Sequence, residues 1–343
     1  MQGIVVKQQQ SAAGAAGSVP PRRVTLKDVA RAAGVSHQTV SRAINDKGEI
    51  DPQTRRRVLD AARELRYRPS RFARGLVRPD VITVGLIVQD VVNPFYPELI
   101  AGVIEAAGNQ GWQVVVGSTQ NDRGGELALV RSLGRQVDAL IGFLTYSDAE
   151  LAPYVEGVPL VVMERHQQTS HGAVDVDIET GVRRGIQHLV DRGHRKIGMI
   201  DCSADEGRDR RDCFLAAIDE FDLPVDQGWI VGGGESMAGG EAAFAELRAK
   251  HPDVSAVFAY NDVVAIGAFR AARRMGLTVP QDCALLGFDG LSIGELLDPP
   301  LTTLYIDKRR MGQLAVDQVN GLLNGTTVEP SLVPTELVIR GST

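Results

Sequence analysis

The sequence has few cysteines and no long apolar run, and each absence excludes a class of protein. Cys202, Cys213 and Cys283 stand alone without CxxC spacing, which argues against a disulfide framework and against a structural zinc site. No apolar run reaches the roughly 20 residues of a membrane-spanning helix, and the N-terminus lacks the apolar segment of a secretory signal. We therefore expect a cytoplasmic protein with no membrane partner and no metal site.

Negative charge exceeds positive charge overall, but the positive charge is concentrated near the N-terminus. The chain of 343 residues carries a net charge of −6. Residues 20–80 hold 15 Lys and Arg against 7 Asp and Glu, whereas residues 81–343 hold 21 against 36. The length allows two or three folded units. This charge asymmetry indicates a polyanion-binding head attached to an acidic body.

The head, residues 23–68, follows a flexible tail of residues 1–22 that is rich in Gln, Ala, Gly and Ser. Its apolar spacing predicts three short helices: one ended by Gly34, one capped by Ser36, and one begun by Asp51 and Pro52. Their predicted inward-facing residues are Leu26, Val29, Ala30, Ala33, Val40, Ile44, Val58, Ala61, Ala62 and Leu65.

A basic segment bounded by prolines, residues 69–80, separates the head from the body. Ser70 could cap a short helix from Arg71 to Leu76. Gly75 weakens such a helix by roughly 1 kcal/mol relative to alanine, and so short a helix is marginal on its own. We expect this linker to be disordered until a partner holds it.

The body, residues 81–343, alternates apolar runs with amphipathic helical stretches. Runs such as TVGLIVQ, WQVVVGS, DALIGFL, PLVVME, KIGMID, AVFAY and ALLGFD predict parallel strands buried on both faces of doubly wound sheets. Seven such runs are many for one sheet, so we expect two lobes. Ligands of these folds bind beyond the carboxyl ends of the strands.

A polar patch marks the second helix of the head. His37 and Ser41 are one helical turn apart, as are Gln38 and Arg42. Helix, tight turn and polar helix form the helix-turn-helix plan, in which Gln can pair with adenine and Arg with guanine in the major groove. Ser36, Thr39 and Asn45 suit phosphate contacts. A merely solvated helix face remains the alternative.

The motifs VTLKDVA, AGVS, TVSRAIN, TRRRV, LRYRPS, NPF and NDVVAIGA stand in order across residues 24 to 340. Together they strongly resemble the lactose-repressor (LacI) family of bacterial transcription regulators. The resemblance implies that His37, Gln38 and Arg42 read bases, and that Leu76 is a hinge-helix wedge in the minor groove; Gly75 departs from the expected hinge sequence. The candidate DNA-binding residues are Thr25, Ser36, His37, Gln38, Thr39, Ser41, Arg42, Asn45, Arg74 and Leu76.

The same resemblance implies a body similar to a periplasmic sugar-binding protein, with two α/β lobes around a cleft. The first lobe would hold residues 81–178 and 307–325, and the second residues 179–306 and 326–340. Polar side chains at predicted strand ends suit the hydroxyls of a sugar or the edge of a purine. The candidate effector-binding residues are Asp90, Asn93, Phe95, Arg165, Arg210, Asn261 and Asp289. Gly234 stands where relatives often carry an aromatic ring.

Enzyme and cofactor interpretations fit the sequence less well. GLSIG, residues 290–294, matches a nucleophile elbow around Ser292, but all six histidines precede that serine, contrary to the order in α/β hydrolases. Residues 232–234 begin neither a dinucleotide motif nor a phosphate loop, so we expect no cofactor. A binding protein without a DNA role would not need the basic head.

These observations predict a repressor that binds a palindromic operator in double-stranded DNA as a homodimer, with assembly beyond the dimer left open. A small molecule, by default a sugar and otherwise a nucleoside or purine, would gate it from the cleft between the lobes.

Overall fold

The computed structural model describes residues 26–44, 50–65, 81–165, 169–202 and 208–343. The chain divides into two compact units between residues 79 and 80. The described part of the first unit is helical, whereas the second unit alternates strands and helices. The tail of residues 1–22 and the linker of residues 69–80 lie outside the described residues.

The first unit contains the three predicted helices. They are α1 (Leu26–Ala33), α2 (His37–Ile44) and α3 (Pro52–Glu64). Gly34 follows α1 with a φ of +65°, a left-handed conformation that glycine adopts without a steric cost. The small core consists of Val29, Ala30, Ala33, Val40, Ala43, Val58 and Ala61, with Ala62 and Leu65 packed against it. The side chains of Leu26 and Ile44 lie outside the described residues.

The predicted caps fix where two of these helices begin. The Ser36 hydroxyl accepts a hydrogen bond from the Thr39 backbone N–H at 3.1 Å, and the Asp51 carboxylate accepts one from the Thr54 N–H at 2.8 Å. The Thr54 N–H also holds the pKa of Asp51 below its usual value, because the hydrogen bond favours the charged carboxylate. Both ends therefore satisfy amide groups that a helix leaves unpaired.

The described residues of the second unit contain two sheets of six strands each. The strands are β1 (Thr83–Val88), β2 (Gln113–Ser118), β3 (Ala139–Gly142), β4 (Leu160–Met163), β5 (Gly172–Val176), β6 (Ile197–Asp201), β7 (Ile230–Gly232), β8 (Ala256–Ala259), β9 (Ala284–Asp289), β10 (Thr302–Ile306), β11 (Ser331–Val333) and β12 (Thr335–Val338). The first sheet has the order β11-β5-β4-β3-β1-β2 and the second β12-β10-β9-β8-β6-β7. The strand pairs are parallel apart from the antiparallel pair of β10 and β12. The two-lobed fold with parallel sheets is thus confirmed.

Helices connect the strands of both lobes. They are α4 (Phe95–Asn109), α5 (Arg123–Gly134), α6 (Asp148–Val155), α7 (Ile178–Asp191), α8 (Arg208–Glu220), α9 (Met237–Lys250), α10 (Asp262–Arg274) and α11 (Lys308–Leu323), with 3-10 helices at Gln227–Trp229 and Ser292–Leu296. Helices α4 and α11 pack closely in the first lobe: a Cβ added at Gly102 would lie 2.4 Å from the Arg309 carbonyl oxygen. Only glycine permits this approach.

The chain passes between the lobes at Asp177, Asp307 and Pro334, each of which separates an element of one sheet from an element of the other lobe. Asp177 and Asp307 also cap α7 and α11. The predicted lobe boundary is wrong at one place. Strand β11 pairs with β5 of the first sheet, so the returning segment of the first lobe reaches residue 333 rather than 325.

Strand β2 departs from the prediction that the strands are buried on both faces. It forms one edge of the first sheet, and Val115 and Val116 are 44% and 39% exposed. By contrast, β1, β3 and β4 are buried along their whole length. The edge of the first lobe therefore presents apolar side chains to solvent.

Candidate functional site

The second helix of the head presents the predicted polar patch. His37, Gln38 and Arg42 are exposed, while Val40 is fully buried against α1 and α3. The Ser36 and Thr39 hydroxyls lie 2.9 Å apart at the start of the helix. Three side chains with hydrogen-bonding groups thus face away from the small core and are available to a partner.

Several predicted DNA-binding residues cannot be placed. Thr25, Asn45, Arg74 and Leu76 lie outside the described residues, and Ser41 is described only in its backbone. The hinge-wedge prediction for Leu76 stays a prediction.

In the body, a buried arginine lies at the carboxyl ends of β8 and β9. Arg210, on α8, is 7% exposed. Its Nη1 donates to the Tyr260 carbonyl oxygen at 2.6 Å, and its Nη2 lies 3.4 Å from Oδ1 of Asp289. The guanidinium stacks 4.0 Å from the Phe288 ring centroid and 4.4 Å from that of Tyr260. The structure therefore brings two predicted effector-binding residues, Arg210 and Asp289, into contact.

Asp289 ends β9 in a constrained turn. Its φ is +102°, a region that a non-glycine residue adopts only when its surroundings hold it there. The ammonium of Lys308, at the start of α11, donates to the Asp289 carbonyl oxygen at 2.7 Å and to that of Ile306 at 3.1 Å. Lys308 is fully buried and comes from a helix of the first lobe, so it links that lobe to the end of β9.

Asp262 holds the other side of this turn. One carboxylate oxygen accepts from the Leu291 N–H at 2.6 Å, and the other accepts from the Thr303 hydroxyl at 2.6 Å. Burial, with the nearby Asp289 carboxylate, raises the pKa of Asp262 to about 7. Burial likewise raises the pKa of Asp289 to about 6, although Arg210 and Lys308 oppose the shift. Sequence reasoning missed both Asp262 and Lys308.

Glu164 is a third carboxyl of this cluster, contributed by the first lobe. It follows β4 with a φ of +49°. Burial raises its pKa to about 7, with Arg210 lowering it and Asp289, Asp175 and Glu235 raising it. One of its oxygens, Oε1, is shielded from solvent and accepts no hydrogen bond from the described residues. The sequence signal for Glu164 is its position at a strand end, next to the chosen Arg165.

The Arg165 side chain binds residues of its own lobe instead of joining this cluster. Its Nη1 donates to the Asp148 carboxylate at 2.7 Å, and its Nη2 donates to the Tyr146 carbonyl oxygen. Asp148 also accepts from Thr169 and Ser170. The structure therefore commits the Arg165 guanidinium to a network within the first lobe, whereas the neighbouring Glu164 interacts electrostatically with Arg210.

The other predicted effector-binding residues of the first lobe shape the turn after β1. Asp90 accepts from the Val92 N–H at 2.9 Å, and Asn93 accepts from the Phe95 N–H at 3.0 Å. Phe95 is only 6% exposed and packs edge-on against the rings of Tyr96 and Phe143. In this structure Phe95 is a core residue.

Asn261 is buried at the carboxyl end of β8. Its side-chain oxygen accepts from the Val264 N–H at 2.9 Å and so caps α10. This hydrogen bond does not use the amide NH2 group of Asn261.

The described residues contain no group of His, Cys, Asp and Glu side chains arranged to hold a metal ion. None of the described helices combines the length and the apolarity needed to span a membrane. Ser292 begins a 3-10 helix rather than the α-helix that follows a nucleophile elbow.

Two family models match the chain. Residues 25–70 match the model of bacterial regulatory proteins of the lacI family, and residues 186–343 match a periplasmic binding protein-like domain. These matches cover the helical unit and most of the second lobe.

Individual relatives span nearly the whole chain. Catabolite control protein A from Priestia megaterium is 32% identical over 332 residues, covering 93% of this chain and 99% of the relative. The transcriptional repressor CytR from Escherichia coli is 32% identical, covering 93% and 96%. The first relative is named as a control protein and the second as a transcriptional repressor.

Solved structures of transcription regulators are also similar to this chain. The lac repressor dimer bound to operator and the anti-inducer ONPF has a TM-score of 0.72 and 28% identity, covering 94% of this chain and 99% of that one. The complex of the transcriptional regulator CelR with cellobiose has a TM-score of 0.70 and 30% identity, covering 94% and 100%. The chain therefore belongs to the lacI family of bacterial regulatory proteins.

Proposed function

We propose that this protein is a transcriptional repressor that binds a palindromic operator as a homodimer and is gated by a small molecule bound between its lobes. The observation that carries the proposal is the pairing of two sites in one chain: an exposed His37, Gln38 and Arg42 patch on a capped helix, and the buried Arg210–Asp289 cluster. Transcription takes place on the bacterial chromosome, so the protein acts in the cytoplasm.

In the head, Gln38 and Arg42 are the base-reading residues. Gln presents one donor and one acceptor to the adenine edge, and Arg presents two donors to O6 and N7 of guanine. Ser36 and Thr39, together with the N–H groups at the start of α2, suit phosphate oxygens.

Replacing Arg42 with alanine will weaken operator binding by about 1–3 kcal/mol and relax the preference at one base pair. The measurement is binding to a selected operator and to its single-base variants. Arg63→Ala, on α3, is the control, since Arg63 is exposed and pairs with Asp60. An equal loss on every sequence would show that Arg42 contacts only phosphate.

In the body, exposed apolar side chains support a homodimer. Ile104 on α4 is 52% exposed, and Val115 and Val116 on the edge strand β2 are 44% and 39% exposed. In the second lobe, Ile293 and Leu296 are 44% and 85% exposed. Contiguous apolar patches on a surface mark association sites, and one such patch on each lobe would let a two-fold axis run along both lobes.

Ile104→Glu will shift the dimer toward monomer, raising the dimer dissociation constant by about tenfold or more, because a charge would be buried at the interface. Sedimentation equilibrium measures it. Val225→Glu is the control. Val225 is equally exposed, at 52%, but lies in the loop between α8 and the 3-10 helix at Gln227–Trp229, outside the segments that carry these apolar side chains. An unchanged dimer dissociation constant would show that Ile104 lies outside the dimer interface.

The effector acts by binding the two lobe arrangements with different affinity, which changes the population able to hold the operator. A thermal-shift screen of sugars and nucleosides on the full chain, followed by operator titration with each hit, tests this gating. A hit that stabilises the body and changes operator affinity is expected. Stabilising hits that all leave operator affinity unchanged would reject gating.

A further inference from the structure

Lys308, the first residue of α11, places a buried ammonium group between the two lobes. Its side chain is fully buried. Nζ donates to the carbonyl oxygens of Asp289 at 2.7 Å and Ile306 at 3.1 Å, and both acceptors end strands of the second sheet. Nζ also lies 3.7 Å from Oε2 of Glu98, which is in the first turn of α4 in the first lobe. The ammonium group therefore bridges the lobes.

The burial of this charge makes the bridge difficult to break. Taking an ammonium group out of water is unfavourable unless hydrogen-bond acceptors and an opposite charge replace the water. Two N–H donors of Lys308 bind carbonyl oxygens, and the Glu98 carboxylate supplies the opposite charge. The Tyr305 ring centroid lies 4.9 Å from Nζ and covers the group further. A movement of either lobe away from Nζ would leave a buried charge without its partners.

The two helices that carry Lys308 and Glu98 pack against each other without intervening side chains. A Cβ added at Gly312 of α11 would lie 2.7 Å from the Leu99 carbonyl oxygen of α4, and one added at Gly102 of α4 would meet the backbone of α11. Such close packing transmits a displacement instead of absorbing it. A displacement of Lys308 therefore moves α4 together with α11.

The crossovers between the lobes are held in different ways. The Asp177 N–H donates to the Val333 carbonyl oxygen at 2.9 Å, and the Thr335 hydroxyl donates to the Asp177 carbonyl oxygen at 2.9 Å. These two crossovers are thus bonded to each other. The crossover at Asp307 directly precedes Lys308, whose side chain returns to the carboxyl ends of β9 and β10. Lys308 therefore fixes the geometry of this crossover.

We propose that Lys308 is a positioning residue that couples the Arg210–Asp289 cluster to the first lobe. It holds the backbone carbonyl of Asp289, whose side chain lies against Arg210. A ligand that moves Asp289 moves Lys308, and with it α11 and α4. This inference rests on the proposed function, since it names the residue through which the effector site acts on the lobe arrangement.

Distance measurements between the lobes test the coupling on the full chain. Arg131→Cys on α5 and Arg273→Cys on α10 introduce exposed positions for spin labels, and pulsed electron paramagnetic resonance reports the distance between them. Cys213→Ala removes the half-buried native thiol, while the other two cysteines are buried. Excess unlabelled chain keeps one labelled chain in each dimer.

Lys308→Met keeps an unbranched side chain of similar length and removes the ammonium group. The distance distribution should broaden and its centre should shift, because the lobes lose the group that holds them together. An unchanged distribution would overturn the proposal, since Lys308 would then only satisfy carbonyl groups at the crossover.

A milder variant keeps the test decisive if Lys308→Met folds poorly. Glu98→Gln removes the charge beside Lys308 from a side chain that is 37% exposed, so the distribution should change in the same sense and to a smaller extent. Glu105→Gln is the matched control, since Glu105 lies 3.5 Å from Arg309 and joins the same two helices within the first lobe. Equal changes in both glutamine variants, or no change in Glu98→Gln, would overturn the proposal.

Operator affinity separates this inference from the proposed function. The probe is a site selected from random duplex DNA, titrated with the unlabelled variants. Lys308→Met should change the dissociation constant by about fivefold or more, and Glu98→Gln should change it in the same direction. Lobe distances that shift while operator affinity stays constant would retain the coupling and reject gating by lobe arrangement. Unchanged distances with intact operator binding would reject the coupling and retain the repressor.

Discussion

Replacing Arg210 with methionine will destabilise the body by about 3–5 kcal/mol at pH 8, because it leaves buried carboxylates without their cation. Arg210 is nearly fully buried, and Asp289 and Glu164 depend on it for charge compensation. The loss will be smaller at pH 5, where both carboxyls bind protons and need no cation. Urea unfolding of the full chain, followed by a signal from the body, measures the difference.

The matched control for Arg210 is Arg270→Met. Arg270, on α10, has a side chain that is 54% exposed and lies 3.4 Å from Glu241. Exposed ion pairs contribute at most about 1 kcal/mol, so this variant should remain close to the unmodified protein. Equal losses in the two variants, or a loss for Arg210→Met that does not change with pH, would contradict the assigned electrostatic role.

Asp262→Asn will gain stability relative to the unmodified protein as the pH rises from about 4 to about 7. The pKa of Asp262 is raised to about 7 in the folded protein from a usual value of 3.8, so the folded state holds its proton more tightly than the unfolded state. The stability from this group is complete below the usual pKa and is lost as the pH passes through the folded value. Asparagine does not titrate, so the relative gain should be roughly 2–4 kcal/mol.

The hydrogen-bond partners of Asp262 can also accommodate an asparagine side chain. The Asn oxygen can accept from the Leu291 N–H in place of the carboxylate, while its NH2 group donates to the Thr303 hydroxyl. Urea unfolding at pH 4.5, 6 and 8 measures the change. Asp253→Asn is the control with the opposite sign: Lys196 lowers the pKa of Asp253, so removing its charge should cost a little stability above about pH 4. A stability difference for Asp262→Asn that stays flat with pH would contradict the raised pKa.

The sequence predicts the fold well where apolar patterns are long. The runs at β1, β3 and β9 are mostly apolar and buried along their whole length, because both faces of those strands are covered. The five strands β5, β7, β10, β11 and β12 escaped prediction because they are short or mix Thr, Asp and Glu with apolar residues. A three-residue strand such as β11 carries too little pattern to show which sheet it joins.

The sequence predicts only part of the candidate site, because the direction of each side chain depends on the local backbone geometry. Arg210 and Asp289 could be chosen from the resemblance and from strand ends, and they do meet. At the end of β4, however, the backbone turns at Glu164, which has a φ of +49°, a change that the apolar pattern of the strand does not show. Arg165 therefore turns into its own lobe and Glu164 faces the cluster. Lys308 was not found because it acts through a backbone carbonyl of Asp289, a contact that no side-chain motif records.

The central claim is that the basic head binds duplex DNA at a specific site while the acidic body controls when it does so. Selection of binding sites from random duplex DNA, followed by titration of the selected site at several salt concentrations, tests this claim most directly. We expect a palindromic site whose association constant falls linearly with salt concentration on logarithmic axes, because counterions are released from the DNA phosphates. Enrichment of no sequence, with binding indifferent to salt, would contradict it.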